Sequence, residues 1–191
     1  STRKESSAAS DVYKRQGMPM GYLASWLGPV NATLDPFDDM GTLSPLLDSE
    51  IHVQNIYVLP ARTSYTDNDA IKEAILKYGG LYASYYHSAN YLNSRTNAYY
   101  DPYTGGGNHA ITVVGWDDNY SRSNFYNSPA GNGAFIVKNS WGSSWGDNGY
   151  FYISYYDRVL FAVNKDNQAF TYILNDTVRS VSYTHLTLPT T

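Results

Sequence analysis

A histidine and an asparagine, each at the end of a predicted strand, could together form a general base in this chain. His109 opens the apolar run that continues to Trp116, and Asn139 directly follows the apolar run 134–138. An imidazole works as a base only when its ring is held in one orientation and one tautomer. An amide oxygen can accept the imidazole N–H without adding charge, and the indole of Trp141 could keep water from that hydrogen bond. We therefore predict a site made of His109, Asn139 and Trp141, brought together by the fold.

The 191-residue chain contains no cysteine, which excludes a disulfide scaffold, a thiolate metal site and a thiol nucleophile within the chain itself. No group of histidine and acidic residues has metal-ligand spacing, so we predict neither a metal nor a cofactor. The glycines of Gly105–Gly107 lack the lysine and the helix of a phosphate-binding loop. We expect them to form a mobile segment that leads into His109.

Two longer segments contain these residues. The first, Asn108–Trp116, reads Asn-His-Ala-Ile-Thr-Val-Val-Gly-Trp, and the second, Val137–Gly146, reads Val-Lys-Asn-Ser-Trp-Gly-Ser-Ser-Trp-Gly. Together with the Gly-Tyr-Phe that begins at Gly149, they resemble the C-terminal half of papain-family cysteine peptidases. The extended motifs, Gly-Trp-Asp-Asp to Asp118 and Ile-Ser-Tyr-Tyr-Asp to Asp157, look most like the bacterial secreted branch of that family.

The resemblance implies a Cys-His-Asn peptidase that cleaves peptide or protein substrates outside the cell or at its surface. By position, His109 would share a proton with the thiol, Asn139 would orient His109, and Trp141 would shield the pair. The family places its cysteine about 130–150 residues before the histidine, whereas 92 residues separate residue 16 from His109. The cysteine and its helical domain are therefore expected upstream, with that domain docking in cis. The present chain is expected to be inactive.

Two alternatives remain open. A catalytically dead relative could serve as a binding or adhesion module, because a fold alone does not determine function. A serine could replace the nucleophile, and Ser25 precedes a tryptophan much as the family cysteine does. The other histidines, His52, His87 and His185, are interpreted as structural or solvated residues.

Composition excludes other classes of function. The formal charge is −4 and no basic cluster is present, so nucleic acid is not an expected partner. No run approaches the roughly 18 apolar residues of a membrane span, so no membrane insertion is expected. The 20 tyrosines suit half-buried sheet positions.

The pattern of elements predicts an α+β fold, mainly the antiparallel, barrel-like sheet domain of a papain-like fold without its catalytic helix. Apolar and β-branched runs bounded by turn residues predict strands, namely 52–59, 81–86, 110–116, 134–138 and 150–155. Ile71, Ala74, Ile75 and Tyr78 lie on one face of a predicted helix that ends at Gly79. Thr66, with an acidic residue at Asp69, predicts a capping box at its start.

The two ends differ from the body of the chain. Residues 1–16 have no helical or strand period, and both they and residues 178–191 resemble translated sequencing-adapter strings, so we predict that the two ends are artefactual and mobile. Residues 17–177 are then the peptidase portion. Within it, Met18–Val30 is predicted to contain the end of a helix, and residues 31–50 a loop.

Overall fold

One mixed β-sheet and one α-helix organise the part of the chain that the structure describes. The computed structural model describes residues 52–103, 105–165 and 169–175, together with Thr33. The elements in chain order are β1 His52–Val58, α1 Asp69–Tyr78, β2 Leu81–Tyr85, β3 Leu92–Asn93, β4 Ala98–Tyr99, β5 His109–Asp117, β6 Ala134–Lys138, β7 Tyr150–Ser154 and β8 Ala169–Asn175. Short 3-10 helices span Ala89–Tyr91 and Arg122–Asn124.

The eight strands lie in the order β1-β8-β2-β5-β6-β7-β4-β3. The pairings are antiparallel except for that of β4 with β7, which is parallel. Within the described ranges the end strands β1 and β3 do not pair with each other. The α+β prediction is therefore confirmed, but the sheet is open and does not close into a barrel.

The predicted strands and helix are confirmed to within one or two residues. The apolar face of α1 is buried, with Ile71, Ala74 and Ile75 each less than 9% exposed. These side chains belong to one core with the central strands, where Leu81 on β2 and Val113 on β5 have no exposed surface. Burying a side chain of this size contributes about 1.5–3 kcal/mol. The core thus fixes the positions of the strands that carry the predicted site.

The predicted capping box at Thr66 is wrong. The helix begins after Asn68, whose side chain makes no capping hydrogen bond. Its Oδ1 accepts instead from Arg62 Nη1 at 2.9 Å, and its Nδ2 donates to the carbonyl of Tyr65. A buried guanidinium needs acceptors more strongly than a helix terminus needs a side-chain cap, because burying a charge without partners is costly.

Arg62 and Asp157 form the charged centre of the core, with 4% and 0% of their surfaces exposed. The guanidinium donates to the carbonyls of Phe161, Leu160 and Tyr155, and burial lowers its pKa to about 10, so it remains charged at neutral pH. Asp157 accepts hydrogen bonds from three backbone N–H groups, and burial raises the pKa of its carboxyl to about 6. This network holds the segment after β7 against the core.

Several predictions fall outside the described residues. They are the helix end within 18–30, the loop 31–50 apart from Thr33, the alternative nucleophile Ser25, the tail histidine His185 and the two adapter-like ends. Within the described residues, no helix combines the length and apolar character that crossing a membrane requires. In that same part of the chain, no three histidine or acidic side chains are grouped so that they could hold a metal ion.

Candidate functional site

The sheet places His109 and Asn139 side by side, at the adjoining ends of two neighbouring strands. His109 is the first residue of β5, and Asn139 is the first residue after β6. These two strands are antiparallel neighbours, with Thr112 opposite Lys138. In such a pair the beginning of one strand lies beside the end of the next, so thirty residues of separation in sequence become a direct contact.

The predicted contact between the two side chains is confirmed. His109 Nε2 lies 2.8 Å from Asn139 Oδ1. The same oxygen accepts the backbone N–H of Ser140 at 2.8 Å. Because a backbone N–H can only donate, the atom that faces both groups must be the amide oxygen. An amide oxygen only accepts, so Nε2 must carry a hydrogen, and in the neutral ring the acceptor lone pair lies on Nδ1.

Asn139 is itself held firmly. Its side chain and backbone together are only 7% exposed, and its backbone N–H donates to the carbonyl of Gly149 at 2.9 Å. Its Nδ2 is buried and has no hydrogen-bond partner among the described residues. The orientation of the carboxamide is therefore determined by Oδ1, through Ser140 on one side and His109 on the other.

Trp141 covers the imidazole. Its ring stacks on that of His109 with centroids 4.6 Å apart and an angle of 24° between the planes. Trp145 contacts Trp141 edge to face at 5.0 Å, and Phe151 supports Trp145 in the same way at 5.1 Å. A stack of this geometry covers one face of the imidazole, and the contacts with Trp145 and Phe151 anchor the indole to the core.

Two glycines are required for this geometry. Gly146 has φ +60°, and a Cβ there would lie 2.5 Å from the carbonyl oxygen of Tyr150, so only glycine allows the turn between Trp145 and β7. On the other side of the site, a Cβ on Gly107 would lie 2.7 Å from Ser84 Oγ and 3.3 Å from the carbonyl oxygen of Tyr85. The segment before His109 is therefore packed closely against β2, and Gly107 is buried.

A second histidine, interpreted from the sequence as structural or solvated, lies beside this pair. The ring of His87 contacts that of Trp141 edge to face at 4.7 Å, and its centroid is 6.4 Å from that of His109. Burial, and secondarily the neighbouring His109, lower the pKa of His87 to about 4. A lone histidine after a tyrosine-rich strand gave no sign of this position, because the contact depends on the order of the strands.

Among the described residues, the arrangement offers an imidazole suited to act as a general base. An imidazole fixed in one tautomer by an uncharged acceptor can take a proton at Nδ1 and later return it. A thiol or hydroxyl placed beside Nδ1 would complete a nucleophilic site, and the chain has no cysteine to provide a thiol. The geometry agrees with the predicted roles of His109, Asn139 and Trp141, which themselves remain predictions.

Comparison with known proteins gives a family for this arrangement. The model of the papain family of cysteine proteases matches residues 49–171, which include the whole site. Falcipain-3 of Plasmodium falciparum is 32% identical over 133 residues, which are 60% of this chain and 26% of that protein. Cathepsin S of Mus musculus is 35% identical over 91 residues, 45% of this chain and 23% of that protein.

Solved structures agree in fold. The cysteine protease and lectin-like domains of Cwp84, a surface layer associated protein of Clostridium difficile, match with a TM-score of 0.71 and 28% identity. That match covers 83% of this chain and 36% of the other. Bromelain of Ananas comosus matches with a TM-score of 0.56 and 20% identity, covering 81% of this chain and 67% of bromelain, and it shows the fold alone. The chain spans about a quarter of the length of the first two relatives.

Proposed function

The chain belongs to the papain family of cysteine proteases, and from that premise we propose that it forms the histidine–asparagine half of a cysteine endopeptidase site. The observation that supports this most strongly is the 2.8 Å contact between His109 Nε2 and Asn139 Oδ1 beneath the indole of Trp141. The site lies within the residues that the family model matches.

In the proposed reaction, Nδ1 of His109 takes the proton of a cysteine thiol, and the resulting thiolate attacks the scissile carbonyl carbon. As the tetrahedral intermediate collapses, the C–N bond breaks and the imidazolium returns its proton to the leaving amine. Water, deprotonated by the same nitrogen, then hydrolyses the thioester and regenerates the thiol. Asn139 keeps Nε2 protonated throughout, so that only Nδ1 exchanges protons with the reactants.

The nucleophile is proposed to come from elsewhere in a longer protein. This chain has no cysteine and spans about a quarter of the relatives named above, so a helical domain that carries the thiol would dock in cis beside His109. The substrates would then be peptides or proteins. Because the Cwp84 structure is described as that of a surface layer associated protein, we extend the proposal to an extracellular or cell-surface location.

The test uses the full-length natural protein, obtained from the genomic region around this sequence. We expect it to hydrolyse a fluorogenic peptide and to be blocked by a thiol-alkylating reagent. His109→Ala should reduce kcat by several orders of magnitude, since loss of a catalytic base in a triad costs up to about a millionfold. His52→Ala, a histidine on the distant edge strand β1, is the matched control and should retain activity. The 191-residue chain alone should hydrolyse nothing.

The same experiment separates the second candidate function. The absence of any cysteine from the chain is equally consistent with a non-catalytic binding or adhesion module. A full-length protein with no cysteine near His109 and no hydrolysis would contradict the peptidase proposal and support the module. Hydrolysis that survives His109→Ala would contradict the assigned role of His109.

A further inference from the structure

His87 contacts the same indole that covers His109. Trp141 lies face to face with His109 and, with ring planes at 81°, edge to face with His87. Trp141 and the residues that follow it, 142–144, are partly or fully exposed. Among the described contacts, the indole is therefore positioned by its aromatic neighbours, and His87 is one of three rings against it together with His109 and Trp145.

His87 is fixed at both its backbone and its ring. The backbone N–H of His87 donates to Asn108 Oδ1 at 2.6 Å, and its backbone carbonyl accepts from Asn108 Nδ2 at 3.1 Å. One carboxamide therefore satisfies both backbone groups of His87. The hydroxyl of the buried Tyr85 lies 2.9 Å from His87 Nδ1. Asn108 directly precedes His109, and its own N–H donates to the carbonyl of Tyr85. The position of His87 is thus tied to the strand that carries His109.

We propose that His87 is a positioning residue, whose T-shaped ring contact holds Trp141 over the hydrogen bond between His109 and Asn139. Its importance for catalysis rests on the function proposed above. The contact itself is a property of the folded chain and can be measured without a nucleophile.

The charge of His87 agrees with this role. Among the described residues, the groups that face its ring are the hydroxyl of Tyr85, the ring of Tyr99 stacked at 6.3 Å, the indole of Trp141 and the imidazole of His109. None of these carries a negative charge at neutral pH, and burial lowers the pKa of His87 to about 4. A neutral His87 can support the indole without repelling the imidazolium that His109 forms in the proposed reaction.

The experiment measures solvent exchange of the His109 Nε2 hydrogen by NMR in the present chain. His87→Ala should make this exchange about two- to tenfold faster, the factor expected from losing one aromatic pair. His87→Phe keeps an aromatic ring against Trp141 but cannot bond to Tyr85, and its exchange should stay near that of the parent. His52→Ala is the control for replacing a histidine on β1, remote from the site, and should change nothing.

An unchanged exchange rate in His87→Ala would overturn the proposal, and so would an equal acceleration in the alanine and phenylalanine variants. If His87→Ala does not fold, His87→Leu replaces it, because leucine fills the space without an aromatic ring and should also accelerate exchange. Failure of the peptidase proposal would appear only in the full-length assay, whereas failure of this inference appears here. The two outcomes are therefore distinguishable.

Discussion

Replacing Asn139 by aspartate tests the geometry of the site through the protonation of His109. The substitution loses no hydrogen bond that the structure describes, because Oδ1 remains and the Nδ2 it replaces has no partner among the described residues. It places a negative charge 2.8 Å from Nε2. Even with the dielectric constant of water, two unit charges at that distance attract by about 1.5 kcal/mol. This energy raises the pKa of His109 by about one unit relative to the parent.

The lower dielectric constant beneath the indole increases this shift and desolvation of the new carboxylate reduces it, so a shift of about one unit is expected. The assay is an NMR pH titration of the histidine ring protons in the parent and in Asn139→Asp, with His109→Ala to identify the resonance. Asn139→Ala is the uncharged control. A shift below about 0.3 units in the aspartate variant would refute the contact, because it would place the carboxylate well outside hydrogen-bond distance.

Two further predictions concern the support of the site and of the core. Gly107→Ala should destabilise the chain by about 1–3 kcal/mol in urea unfolding, because the new Cβ would clash with Ser84. Gly105→Ala, whose Cβ would have nothing within 4 Å, is the control and should change stability by under about 0.5 kcal/mol. Equal effects of the two substitutions would contradict the close packing at Gly107. The carboxyl of Asp157 binds a proton more tightly when folded, with a pKa of about 6 instead of 3.8, so its contribution is full below pH 4 and is lost as pH rises to 6. The free energy of unfolding of the parent should therefore fall by about 3 kcal/mol over that pH range, whereas that of Asp157→Asn should not. The same pH dependence in both proteins would show that Asp157 is not the cause.

The part of the site that could be predicted from sequence is the part encoded in contiguous motifs. His109 and Asn139 each stand at the end of an apolar run, and the motif around each indicated its role before any contact was known. The strands themselves followed from β-branched and aromatic runs, and α1 from the spacing of its buried face. Only the distance between the two side chains required the structure, because it depends on β5 lying next to β6.

The rest depends on contacts between distant parts of the chain. Strands β3 and β4 are two residues long and exist only through pairing, so no local pattern indicates them. The capping prediction at Thr66 failed because the helix begins two residues later than predicted, after Asn68. The oxygen of Asn68 bonds to Arg62, which also bonds to a carbonyl almost a hundred residues away. His87 was missed for the same reason, since its neighbours come from β5 and from the loop after β6.

Strand β8 is a different case. Residues 169–175 form an apolar and β-branched run of the kind that predicts a strand, although the strands predicted from the sequence above end at residue 155. The structure pairs it with both β1 and β2. It therefore joins the edge strand to the centre of the sheet, which a pattern read one segment at a time does not reveal.

The measurement that tests the account most directly is the tautomer of His109, read from the nitrogen chemical shifts of its ring in the labelled chain at neutral pH. We predict hydrogen on Nε2, a lone pair on Nδ1, and a coupling or nuclear Overhauser contact between the Nε2 hydrogen and the Asn139 side chain. A ring with hydrogen on Nδ1, or one averaging between the two tautomers in the folded chain, would contradict it.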